Sequence, residues 1–381
     1  MNFDFTEEQL MIRQAARDYA QRELIKDAIE RDDKAIFPNL HIKNLAELGF
    51  LGMLVGTKYD GGGMDTVSYV LAIEEISKVD SSVGVIISVN NSLVCFGIEA
   101  YGTEEQKEKW LKPLARGEKI GAFLLEPGCG SDASSQKSTA IDMGDHYILN
   151  GVKNWITNGN SASTYIVIAQ THKELGHKGI NAILVDRHAP GISVCVHENK
   201  MVMRSSDTHS VEFADVKVPK ENRLGEDGFG FRFAMKTLEG GRIGIAAQAL
   251  GLASGAYELA VKYAKERKTF GTEIINHQAI AFKLADMATE IEAARFLCLK
   301  AAWLKDQDKP YGNASAMAKL FAAETAMRVT TEAVQIHVGY GYVKDYHVER
   351  LMRDAKLTQI YEGTSEIQKI VISRAIIMGD L

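Results

Sequence analysis

Apolar residues recur at helical spacing through the first third of the chain, alternate with polar ones through its middle, and return to helical spacing to the end. Near the start, Leu10, Ala16 and Leu24 fall in helical periods behind Thr6, Glu7 and Glu8, which predicts a capped amphipathic helix. After the Gly-rich break Tyr59–Gly63, the run TVSYVLAIEEISKVDSSVGVIISVNNSLVCFGIEAY is apolar and rich in small residues, as expected of a buried helix pair. EEQKEKWLKPLARGEK then reads as a polar helix stopped near Pro113 and Gly117.

From Ile120 the period changes. IGAFLLE, STAIDMG, HYILNGVKNWITNG, TYIVIAQT, NAILVDR, ISVCVHE and HSVEFADVKV read as strands or hairpin arms, with Asn150-Gly151 and Asn158-Gly159 as turn signals, and the β region ends near Pro219. From Gly228 onward, Ile243–Lys265, Gln278–Asp306, Ala314–Val338 and Ile367–Ile377 are expected helices, joined as in a helix bundle. The predicted architecture is α+β and multidomain. It comprises an all-α domain (1–118), a β-barrel or sandwich (119–225) and a four-helix bundle (226–381).

Composition narrows the function classes. Of 381 residues, 46% are hydrophobic and 25% charged, with a net charge of -6, so neither nucleic acid nor an anionic membrane is called for. The N-terminus lacks the apolar core of a signal peptide, and no apolar run approaches the about 20 residues that cross a bilayer. Cys95, Cys129, Cys195 and Cys298 are scattered without ligand-like spacing, as expected of reduced thiols in the cytoplasm. No Walker loop or strand-linked GxGxxG occurs, and His172 and His177 lie in a polar loop, so no metal is expected.

The chemistry concentrates in LTQIYEGTSEIQKIV, Leu357–Val371. Ser365 with Gln368 reads as a capping box, which leaves Tyr361, Glu362 and Gly363 just outside a helix N-terminus. There Glu362 either helps to cap the helix or accepts a proton from a carbon acid whose enolate the free N–H groups stabilise. Three other stretches carry similar alternatives. Glu126–Asp132 is an ordinary loop or a cradle for a polar ring or phosphate. Trp155 is a core indole or a cover for an aromatic cofactor face. Arg267 and Lys268 before Gly271 are dipole partners or a diphosphate site.

Taken together, FTEEQ, EPGCGSD, KNWITNG, GGRIGIAAQALG, YAKERKTFG, HQAIAFKLADMA, EAVQIH, LMRDAK and IYEGTSEIQ, in this order, resemble the acyl-CoA dehydrogenase family, and its short-chain (butyryl-CoA) branch most closely. The resemblance implies helical, β and helix-bundle domains in a homotetramer (a dimer of dimers), with FAD between the middle and C-terminal domains, a neighbouring subunit contributing to its site, and Arg267 and Thr269 reaching the FAD phosphates across the dimer. Glu362 matches the family's base, which removes the pro-R α-proton of the thioester while the β-hydride passes to flavin N5. The thioester carbonyl would accept hydrogen bonds from the Glu362 N–H and the flavin ribityl 2′-OH. Some relatives carry their base just before the Arg of the first C-terminal helix, where this chain has Gly241. Cofactor contacts carry over to Ser131, Trp155, Ile156, Thr157, Arg267, Thr269, Gln278, Gln335, Gly339, Thr364 and Glu366. Substrate contacts carry over to Ser131, Glu239, Arg242 and Gly363. An electron-transfer flavoprotein is the implied acceptor.

Three positions depart from the family pattern. Leu125 stands where a Ser or Thr hydroxyl is usual, and Val202 and Val338 each replace a Gly. A β-branched residue takes positive φ at a cost, so these changes predict weaker FAD binding. They keep a non-catalytic paralogue in view beside an acyl-CoA oxidase that uses dioxygen. Chain-length preference is not written in the motifs, since one methylene alters preference by only about 1–3 kcal/mol.

Overall fold

The computed structural model describes residues 4–125 and 130–381. Its first helix, Glu7–Arg22, is opened by a reciprocal cap in which the Gln9 N–H donates to Thr6 Oγ1 at 3.2 Å and the Thr6 N–H to Gln9 Oε1 at 3.0 Å. The apolar stretch behind it forms two buried helices, Thr66–Ser77 and a continuous rod from Ser81 to Tyr101. The second corrects the expectation about apolar length. Its 21 residues are long and apolar enough to cross a membrane, but 94% of its apolar window is buried inside this fold. Over Val89–Cys95 the rod widens into π turns, and there Asn90 and Asn91 donate to the carbonyls of Leu51 and Phe50 at 2.8 and 2.9 Å. Pro113 lies within the next helical segment rather than ending it; the chain breaks after Ala115, with Gly117 at φ +67°.

The middle of the chain forms one eight-stranded mixed sheet. Its strands are β1 (Gly121–Leu124), β2 (Thr139–Asp142), β3 (His146–Thr157), β4 (Thr164–Gln170), β5 (Ile180–Asp186), β6 (Ile192–His197), β7 (Thr208–Pro219) and β8 (Arg223–Leu224). The order is β6-β7-β3-β2-β4-β5-β8, with β1 parallel to β4. Every residue of β4 is buried, which explains its unbroken apolar run, whereas β7 alternates between core and surface. Asn150-Gly151 is not a turn. It is a bulge inside β3, where Gly151 takes φ +133° and a Cβ would lie 2.6 Å from Ser138 Oγ. A second register shift in β3, between Lys153 and Ile156, brackets Trp155.

The C-terminal part contains five α-helices, Gly230–Glu266, Gln278–Asp306, Gly312–His337, His347–Thr358 and Ser365–Met378; the fourth is the helical spacing of VERLMRDAKLTQI, which the count of four bundle helices leaves out. The first begins well before the expected Ile243, and its Ala- and Gly-rich face packs directly against Gly312–His337. The fourth ties the three parts of the chain together. Asp354 on it is buried and accepts hydrogen bonds from Ser81 Oγ at 2.5 Å and the Met203 N–H at 2.8 Å, while Arg353 reaches Asp32 at 2.9 Å. Buried charges that are paired this way hold one arrangement, because removing either partner strands the other in low dielectric. The loop carrying Glu362 follows immediately.

Candidate active site

Residues 359–364 form the loop between the last two helices, and its partners come from two other helices and from the last one. Tyr361 Oη donates to Gln248 Oε1 on Gly230–Glu266. Ser365 Oγ and Gln359 Nε2 each donate to the Glu324 carboxylate at 2.7 Å, on Gly312–His337. Lys319 Nζ, also on that helix, donates to the Gly363 carbonyl at 2.6 Å, and Gln368 Nε2 to the same carbonyl at 2.9 Å. The helix cap is Thr364, whose Oγ1 accepts from the Ile367 N–H at 3.3 Å. The expected Ser365–Gln368 capping box is therefore absent; both side chains lock the loop instead.

Within this frame Glu362 adopts φ +50° and Gly363 φ +91°. Left-handed backbone at a glutamate is strained, and surrounding structure must over-determine it. The residue is half-buried, but its Oε2 is enclosed and has no hydrogen-bond partner. The space it fills is left by Gly241, where a Cβ would lie 2.1 Å from Oε2. Burial pushes the Glu362 carboxyl up to about 7, against the opposing pull of Lys319 and Arg242. The Glu362 N–H has no hydrogen-bond partner among the described residues, so a donor and a weakly held carboxylate sit on one residue. Such a pair can polarise a carbonyl and take up the proton next to it.

A cavity of about 1000 Å³ lies on another face, lined by Arg267, Thr269, Gln335 and Gly339 among others. It unites four of the expected cofactor residues. Gln278 does not line it, although its helix neighbours His277 and Ile280 do. His337 lies inside the expected cofactor segment Gln335–Gly339, but reading the sequence missed Tyr263, whose ring stacks on it at 4.4 Å along this cavity, because the pairing joins two helices far apart in the chain. Val338 is at φ +53°, ψ -126°, with 70% of its surface exposed on the cavity wall. Trp155, at φ +56° and 63% exposed, stands out from the sheet at its bulge. Ile156 is a core residue, so only its backbone is free to touch a ligand; Thr157 is half-buried. Glu239 and Arg242 follow each other on one helix, with Glu239 lining a second cavity of about 590 Å³ and Arg242 buried beside Glu362 with its Nε unpartnered. Thr364 is spent on its cap, Glu366 is exposed in the first helical turn, and Ser131 is exposed. Glu126 to Cys129 of the Gly-rich loop lie outside the described residues. Leu125 and Val202 pack into the apolar core. No group of three or more His, Cys, Asp or Glu among the described residues can hold a metal ion.

Profiles of the acyl-CoA dehydrogenase N-terminal, middle and C-terminal domains match residues 6–118, 122–216 and 228–377. The chain belongs to the acyl-CoA dehydrogenase family. It is 50% identical over 374 residues to the short-chain-specific acyl-CoA dehydrogenase of Clostridium acetobutylicum, covering 98% of this chain and 99% of that one. Butyryl-CoA dehydrogenase from Megasphaera elsdenii superposes with a TM-score of 0.97 at 48% identity, over 99% of this chain and all of the other (100%). A further chain, from the structure described as "Electron transferring flavoprotein of Acidaminococcus fermentans: Towards a mechanism of flavin-based electron bifurcation", matches with a TM-score of 0.97 at 51% identity, over 99% of both chains. Acyl-CoA dehydrogenases are oxidoreductases and flavoproteins, with the helical, sheet and helical domains seen here.

Proposed function

We propose that this chain is an FAD-dependent, short-chain-specific acyl-CoA dehydrogenase in which Glu362 removes the α-proton of the thioester. The observation that carries the reading is the enclosed Oε2 of Glu362, which, like the residue's own N–H, has no hydrogen-bond partner among the described residues. A carboxylate poised near neutrality has the proton affinity a general base needs, and the adjacent N–H is placed to receive an enolate oxygen. The names of the relatives support the short-chain substrate class.

The residues present fit FAD. The 1000 Å³ cavity offers the Arg267 guanidinium, the Thr269 hydroxyl and Gln335, a donor set suited to the diphosphate of an FAD held across the dimer, and Gly339 leaves open space on its wall. Trp155 and Thr157 would border the isoalloxazine; Ser131, Gln278, Thr364 and Glu366 complete the proposed cofactor contacts. Bound FAD supplies a hydride acceptor for the β-carbon. Glu239, Arg242, Ser131 and Gly363 would hold the thioester. Because the Gly363 carbonyl is already doubly occupied, we assign its N–H to that contact. We further propose domain boundaries near residues 118 and 225, and a homotetramer that covers exposed Phe282, Phe296, Ile376 and Ile377. An electron-transfer flavoprotein is the proposed acceptor. Turnover should yield a trans-2-enoyl-CoA with that acceptor; efficient peroxide formation in air would favour an oxidase instead.

Val338 places a β-branched side chain at positive φ on the wall of this cavity. Val338→Gly removes a β-branched side chain from a left-handed position and should raise stability by about 1 kcal/mol net of glycine's entropy. FAD affinity should rise with it. Equal or weaker binding, measured by equilibrium titration of the apoprotein, would show that the valine is not in the cofactor's way.

A further inference from the structure

Lys319 is an unusual neighbour for a proton acceptor. It lies about two turns into Gly312–His337, fully buried, with its ammonium donating to the carbonyl of Gly363, the residue after Glu362. A lysine loses several kcal/mol of hydration on such burial, and a single carbonyl returns only part of it. What remains must come from charge. The groups facing it are Glu362 on the loop, Glu324 on its own helix, Glu366 on the last helix, and Arg242, which repels it. Those facing Glu362 are Lys319 and Arg242, with the phenols of Tyr361 and Tyr69 alongside. Lys319 is thus both a clamp on the loop and the leading favourable charge for the carboxylate.

We propose that Lys319 is a positioning residue for the acyl-CoA dehydrogenase reaction, holding the Glu362–Gly363 loop in its left-handed form and keeping Glu362 ionised before substrate arrives. The inference rests on Glu362 being the base. Burial alone would carry this carboxyl further up and leave it largely protonated at neutral pH, where it accepts nothing. The ammonium offsets that tendency. Burial pushes Lys319 itself down to about 8, so the pair titrates within a narrow range around neutrality. When Glu362 takes up a proton, Lys319 loses its leading anionic partner and keeps the Gly363 carbonyl and the weaker pull of Glu324 and Glu366. The clamp therefore holds the loop through the whole cycle, while the charge favours returning the proton afterwards.

The test is the pH dependence of flavin reduction by butyryl-CoA under anaerobic conditions, in the FAD-loaded protein. Wild-type protein should lose rate as pH falls through about 7, where Glu362 protonates. In Lys319→Gln, which keeps a donor but no charge, this acidic limb should move upward by about one pH unit. Lys319→Arg should leave it in place. Flavin content and Tm identify protein that has folded, and Lys319→Met replaces the Gln variant if that one does not fold. Met should also lower the plateau rate by about tenfold, through loss of the clamp. An unmoved limb in a flavin-loaded neutral variant would overturn the proposal and leave Lys319 a structural residue. Glu362→Gln, measured in parallel, separates the two readings: if it still reduces flavin at the wild-type rate, the base assignment fails, whatever Lys319 does.

Discussion

Glu362→Gln is expected to leave the flavin bound while its reduction by acyl-CoA falls by about 10³–10⁴-fold. The amide nearly matches the carboxylate in volume, so the space beside Gly241 stays filled and the loop keeps its contacts to Lys319, Gln368 and Glu324. Its N–H remains in place for the thioester carbonyl. Only the capacity to take up the α-proton is lost. Folding should not suffer, because the variant no longer buries a carboxyl that burial pushes up to about 7. Stopped-flow spectra with butyryl-CoA would read the rate and the flavin content together. Undiminished bleaching would place the base elsewhere.

Gly241→Ala should show the converse of a packing defect: a rate loss of about 100-fold with little change in Tm. The new Cβ would lie 2.1 Å from Glu362 Oε2 and 2.8 Å from Leu93 Cδ2. Both are far ends of flexible side chains, so the protein can relieve the clash cheaply, and alanine's better helix propensity offsets about 1 kcal/mol of the cost. The relief moves the reacting oxygen, however, and a displacement of about 1 Å at a reacting atom is expensive in rate. This geometry brings position 241 and the Glu362 carboxylate to one place. The first lies on Gly230–Glu266 and the second on the loop before the last helix. A variant with normal rate would show that the carboxylate works from another rotamer.

Much of this was legible in the chain itself. The change from helical to alternating period near Ile120, and back near Gly228, marks the three-part architecture, and the motif series marks the family. Local spacing failed where tertiary contacts decide. Ser365 and Gln368 have the spacing of a cap, yet Glu324 and the Gly363 carbonyl claim their side chains and Thr364 caps instead. Asn150-Gly151 has the composition of a turn, but β7 pairs on both sides of it and converts it to a bulge. Lys319 sits in MAKLF, where helical spacing has no means to distinguish a solvated lysine from one buried against a loop 44 residues later. Val338 departs from the family's glycine, and its backbone bears the positive φ that glycine adopts at no steric cost.

The most direct test of the central reading is the visible spectrum of the purified protein before and after anaerobic addition of butyryl-CoA. A flavin spectrum that bleaches on addition, with formation of the enoyl thioester, is the predicted result. A flavin that stays oxidised, or a protein that stays colourless after reconstitution with FAD, would contradict it.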